Sequence, residues 1–216
     1  MALITIPQLD RTRPETPLEK WASQFDDVIG HAFRRVTAQR QLLKEAMAPL
    51  DWQFDIFLSH SYRDAVRVRA LKGLIEELGY SVYVDWVEDD ELNRQGVDAA
   101  TAARLRQRIH MSRCLLVHVT PNTSVSRWVP WELGFADGAG KQVGILPTPE
   151  RDVKTDRYEG EEYLKLYPYI DLAEDTEAGE PTLWANSAPD IYVSFDRWLN
   201  GQAPHARQSR GRFLRG

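Results

Sequence analysis

Between Trp52 and Leu146 short apolar runs alternate with stretches of helical periodicity, and this alternation limits the possible fold more than any other feature of the chain. Phe54–Leu58 is an apolar run of strand length, fit for a central strand covered on both faces. Arg63–Leu78 places Val68, Leu71, Leu74, Ile75 and Leu78 on one helical face, with Gly79 as the stop. Ser61 and Asp64 stand at capping-box spacing at its start. The pattern then predicts a strand at Tyr80–Val84, a loop over Trp86–Gln95, a helix over Val97–Met111 and a strand at Arg113–Val119. A loop at Pro121–Ser126, a helix over Trp128–Asp137 and a strand at Val143–Leu146 follow. Such alternation with short connections argues a parallel sheet covered on both faces. The strands are short and few. The expected class is therefore α/β, a flavodoxin-like open parallel sheet of about five strands with helices on both faces. Leu166–Leu172 is the candidate fifth strand. Ala173–Pro181 is acidic and expected to be exposed, and Ile191–Leu199 is expected to be a last helix with Val193, Phe195, Trp198 and Leu199 as its apolar side.

Three segments are expected: an N-terminal extension (1–50), the α/β domain (51–200) and a basic tail (201–216). In the extension, Thr16-Pro17-Leu18-Glu19 has the form of a helix start. Leu18, Trp21, Phe25, Val28, Ala32 and Val36 then recur at spacings of three and four until Pro49. The predicted N-terminal helix is long, roughly 48 Å for about 32 residues. It either packs on its own domain or docks a partner protein or a second copy. The tail holds Arg207, Arg210, Arg212 and Arg215 and no acid, as a solvated tail would. The net charge of -5 argues against a general nucleic-acid binder. One cysteine, Cys114, excludes an intramolecular disulfide, and its apolar neighbours mark it as a core residue. No stretch reaches the length of a membrane span and no signal-peptide pattern opens the chain, so a cytoplasmic location away from membranes is expected.

Several familiar chemistries are missing. Gly138-Ala139-Gly140 does not complete a dinucleotide fingerprint, and there is no Walker A and no GxSxG elbow. The five histidines show no metal-ligand spacing, so no metal is expected. His118 lies in an apolar strand and reads as a core residue. His60 ends the first strand, where open α/β sheets bind ligands. Glu132 is the residue most suggestive of chemistry. A glutamate early in a helix is favoured by the macrodipole, and that alone would account for it. Trp128, four residues earlier, can share its face. An indole offers a flat surface to an aromatic base, and a carboxylate can hold a ribose diol or a developing cation. Asp85-Trp86 is a second aromatic–carboxylate pair at the end of the second strand, suited to the same crevice or to a half-buried turn. The acidic run Glu88-Asp89-Asp90-Glu91 reads as a solvated loop.

These segments resemble a Toll/interleukin-1 receptor (TIR) domain of the bacterial kind, from about Trp52 to Leu146 and loosely to Leu199. Asp55-Ile56-Phe57-Leu58-Ser59-His60-Ser61 is similar to the family's first strand and loop, and Val82-Tyr83-Val84-Asp85 to its second strand. Trp86–Gln95 would then be the BB loop. Ser126, Trp128 and Glu132 match the pattern Ser-x-Trp-x-x-x-Glu, the most specific element. The resemblance implies cleavage of the nicotinamide–ribose bond of NAD+, a substrate rather than a cofactor, with Glu132 as the catalytic residue. It implies a substrate-binding set of His60, Ser61, Asp85, Trp86, Ser126 and Trp128. It further implies a linear or cyclic ADP-ribose product, a homo-oligomer built by TIR–TIR contacts, and a role in anti-phage defence. Val129 stands where the family often has cysteine, and the BB loop lacks the proline- or glycine-centred receptor form. Two other readings stay open. One is a non-catalytic interaction module of the same fold. The other is a nucleoside deoxyribosyltransferase-like enzyme with Glu132 as nucleophile.

Overall fold

The computed structural model describes residues 53–85, 99–148, 161–175 and 180–206. The predicted N-terminal helix, Trp86 with the BB loop, and the arginine tail lie outside the described residues. The elements in order are β1 (Phe54–Ser59), a 3₁₀ turn (Tyr62–Asp64), α1 (Ala65–Glu77), β2 (Val82–Tyr83), α2 (Ala99–His110) and β3 (Ser112–Val119). A 3₁₀ turn (Thr123–Val125), α3 (Trp128–Gly138), β4 (Gln142–Pro147) and a 3₁₀ turn (Glu162–Leu166) follow. The chain then runs through β5 (Tyr169–Asp175), β6 (Glu180–Ala188), β7 (Ile191–Ser194), α4 (Phe195–Leu199) and β8 (His205–Ala206). Among the described residues no helix is long and apolar enough to cross a membrane.

The strands form one sheet in the order β2-β1-β3-β4-β5-β6-β7-β8. The first five pair in parallel, as expected of an open α/β sheet. Order reverses between β1 and β3, which makes the crevice beyond their carboxyl ends the topological switch point. Each central strand is apolar on both sides because helices cover both. On β3, Cys114 and Leu116 face one core with Ile56 and Leu58 of β1, closed by Val68, Leu71 and Ile75 of α1 and by Phe195 and Trp198 of α4. Leu115, Val117 and Val119 face the other with Phe57 and Ile145, closed by Leu105 and Ile109 of α2 and Val129, Leu133 and Ala136 of α3. Gly144 on β4 is required by this packing. A Cβ there would stand 3.0 Å from Leu116 Cδ2, 3.3 Å from Trp198 Cη2 and 3.4 Å from Ile170 Cδ1.

Three sequence expectations need correction. Beyond the five parallel strands the sheet continues antiparallel through β6, β7 and β8. Ile191–Leu199 is not one helix: Ile191–Ser194 is β7, and only Phe195–Leu199 is helical. Part of the acidic stretch Ala173–Pro181 belongs to the ladder, with Ala173 opposite Thr182 and Glu174 opposite Pro181, and Pro181 is buried. A main-chain ladder satisfies its own polar groups, so acidic side chains on its rim do not prevent strand formation.

Candidate active site

Glu132 lies on α3, which leaves the carboxyl end of β3 through the loop at residues 120–127. The helix begins at Trp128, so Glu132 is its fifth residue and the first turn holds no acid. Pro130 sits within that first turn, where its missing N–H has no intrahelical partner to lose. The macrodipole account of Glu132 therefore weakens, while its burial is complete at 0% exposure. A buried carboxylate needs donors. Ser59, the last residue of β1, supplies one: its hydroxyl donates to Glu132 Oε2 at 2.5 Å. The sequence does not single out Ser59, because a polar residue at a strand end reads as the start of a turn. The available signal was alternation, since Ser59 follows Phe57 onto the face that α3 covers.

Trp128 stands one turn before Glu132 and is 6% exposed. Its indole meets Trp131 edge to face at 5.5 Å, and Trp131 stacks on Phe135 at 5.8 Å under the Arg106 guanidinium. Ser126 is half-buried, and its hydroxyl accepts from the Val129 N–H at 3.3 Å, holding the start of α3. The structure thus brings Ser126, Trp128 and Glu132 onto one loop–helix unit.

His60 and Asp85 follow the adjacent strands β1 and β2, and both are buried. His60 Nδ1 lies 2.8 Å from the Leu58 carbonyl, which can only accept, so Nδ1 carries a proton. Its Nε2 faces Asp85 Oδ1 at 3.7 Å, and a second proton there would complete an ion pair. Ser61, also buried, makes no side-chain capping bond. The expected capping box does not form: the Asp64 backbone N–H donates to the Ser61 carbonyl, and the Asp64 side chain turns elsewhere. Trp86 lies outside the described residues.

His118 sits on β3 with 0% exposure, and its Nε2 bonds Thr148 Oγ1 at 2.8 Å. Thr148 Oγ1 donates onward to the Val119 carbonyl at 3.3 Å. The hydroxyl proton is thereby used, so Nε2–H donates to Thr148. Burial holds His118 down at a pKa of about 3, with Asp64 opposing and the charges of His60 and Arg67 adding to the fall. It is a neutral core imidazole, as its apolar strand implies. Burial likewise pushes the Cys114 thiol well up, which leaves an inert core residue.

Fold and geometry define a small open α/β domain with a buried carboxylate at its switch point. Residues 57–147 match the model of the family described as Thoeris protein ThsB, TIR-like domain. A Bacillus cereus (strain MSX-D12) protein named "Probable 3' cyclic ADP-D-ribose synthase ThsB'" is 41% identical over 169 residues, covering 77% of this chain and 87% of that protein. The protein TIR2 of Cytobacillus dafuensis is 35% identical over 91 residues, which are 42% of this chain and 24% of TIR2. The crystal structure of the TIR domain of the Toll-related receptor TRR-2 from Hydra magnipapillata aligns with a TM-score of 0.39 at 19% identity, over 55% of this chain and 84% of that one. A likeness that distant adds no weight of its own. The chain belongs to the ThsB family of TIR-like proteins.

Proposed function

We propose that this chain cleaves the nicotinamide–ribose bond of NAD+ and closes the ADP-ribosyl unit into a cyclic ADP-ribose signal in anti-phage defence, with Glu132 as the catalytic carboxylate. The observation that carries the reading is the fully buried Glu132, held by Ser59 at the switch-point crevice one turn from an indole. The name of the Bacillus cereus relative supports a cyclic product. The chemistry suits a site with one carboxylate. When the N–C1′ bond breaks, its electron pair passes to the pyridinium nitrogen and neutralises it. Nicotinamide therefore leaves without a general acid, unlike the leaving oxygen of ordinary glycosides, which a second carboxyl group must protonate. The cation left at C1′ lies against Glu132, whose negative charge stabilises it. A hydroxyl of the same ADP-ribosyl unit then attacks C1′ and gives up its proton, which forms the ring; capture by water instead gives linear ADP-ribose. His60, Ser61, Asp85, Ser126 and Trp128 are proposed to bind the substrate, and copies of the chain to assemble through TIR–TIR contacts.

The test is nicotinamide release from NAD+ by the purified chain at high concentration with a crowding agent, the second product being identified by mass. Glu132→Ala is expected to lower release by a factor of about 100 or more, the loss typical of removing a key electrostatic group. Equal release from the variant, or no release by assembled wild-type protein, would overturn the reading.

A further inference from the structure

Asp64 precedes α1 at the position where a short acidic side chain ordinarily caps its own helix. It makes no such bond. The carboxylate, 2% exposed, reaches across the crevice to the loop after β3. Its Oδ2 accepts from Thr120 Oγ1 at 2.6 Å. Its Oδ1 accepts from Asn122 Nδ2 at 2.8 Å, with Arg67 Nη1 at 3.4 Å.

The loop so held has a fixed internal shape. Thr123 Oγ1 accepts from the Thr120 N–H at 2.8 Å and donates to the His118 carbonyl at 3.1 Å. The Asn122 N–H donates to Thr120 Oγ1 at 3.0 Å, and the Ser126 N–H to the Thr123 carbonyl at 3.1 Å. Ser126 in turn holds the Val129 N–H. These bonds set the form of the segment from Thr120 to Val129. The Thr123 bond to His118 and the packing of Val129 fix it to β3 and to the core, and leave the side chains of Thr120 and Asn122 to be held from outside the segment. The Asp64 bonds tie the segment to the start of α1.

We propose that Asp64 is a positioning residue: by gripping Thr120 and Asn122 it seats the β3–α3 loop and so sets the place of Trp128 and Glu132 over Ser59. The catalytic consequence rests on the function proposed above. Without the carboxylate, the Thr120 hydroxyl and the Asn122 amide lose buried acceptors, and the loop must shift to find others.

The experiment compares Asp64→Ala, Asp64→Asn, Asn122→Ala and the double variant Asp64→Ala/Asn122→Ala in the full chain. It reads kcat and KM for nicotinamide release, Tm, and amide hydrogen exchange over 120–132. Asp64→Ala is expected to lower kcat by about 10- to 100-fold with KM changed far less, the size of effect that a shift of about 1 Å produces. Asp64→Asn keeps the shape and one acceptor oxygen, and is expected to recover most of the loss. In the Asn122→Ala background the further loss from Asp64→Ala should be smaller, because the bond to Asn122 is already gone and only the bond to Thr120 remains to lose. Exchange should quicken over 120–132 and stay unchanged in β4 and β5. Additive losses, exchange that rises across the whole sheet in step with a lower Tm, or unchanged exchange over 120–132 would each overturn the proposal. Wild type and Glu132→Ala run alongside. An inactive wild type would count against the proposed function, and the exchange measurement would still decide whether Asp64 seats the loop.

Discussion

The pair Ser59 and Glu132 joins a strand end to a helix through one buried hydrogen bond. Removing the hydroxyl takes one donor from a buried carboxylate, and losing a buried hydrogen bond of this kind costs about 1–3 kcal/mol. Ser59→Ala is therefore expected to lower stability by that amount in urea unfolding and to reduce nicotinamide release, with circular dichroism of the native form unchanged. Glu132 is singled out in the sequence by Trp128 one turn before it and by the resemblance that adds Ser126, and its burial appears only in the fold. Ser59 is not singled out, since a serine at a strand end carries no pattern until the facing helix is known. Asp64 misleads for a similar reason. Its spacing from Ser61 fits a helix cap, and only the fold places Thr120 and Asn122 within its reach.

The strands and helices from β1 to β4 are legible because apolar runs alternate there with helical periods, even though β2 itself is only two residues long. The region after Leu166 is not. Val193, Phe195, Trp198 and Leu199 fit a helical spacing, yet Val193 belongs to a strand and the other three to a helix of five residues. The overlooked signal was Pro189-Asp190, a turn dipeptide between the runs that form β6 and β7. That hairpin carries α4, and α4 brings Trp198 over β4 at Gly144. A side chain at Gly144 would press on Leu116 and Trp198, and overpacking of this kind costs about 1–3 kcal/mol. Gly144→Ala is accordingly expected to lower the urea midpoint with the slope of the transition unchanged. An unchanged midpoint would mean that α4 yields freely.

Two buried groups, on β5 and on β3 with β4 between them, shape the molecule's response to acid. Burial raises the Asp171 carboxyl to about 6, against the bond donated by Asn186 Nδ2 at 3.0 Å. The unfolded chain releases that proton near pH 4 and the folded one only near 6, so this group makes stability fall as pH rises through the window. His118 acts in the opposite sense. The unfolded chain binds its proton near 6.5 and the folded one only near 3, so stability is lost as pH falls between those values. The two oppose each other between about pH 4 and 6. Asp171→Asn, which still offers Asn186 an acceptor, is expected to raise Tm at pH 7 and to steepen the loss of stability below pH 6. Thermal melts across that range would check both effects, and an unchanged slope would count against the Asp171 assignment. The bond from Ser59 to Glu132 joins residues 73 apart, on β1 and on the helix that follows β3. On the proposed activity, a growing chain that has emerged from the ribosome only as far as β2 carries the serine without the carboxylate. On that activity, a chain stopped short of α3 lacks the carboxylate and cannot draw on the nucleotide pool of the cell that makes it.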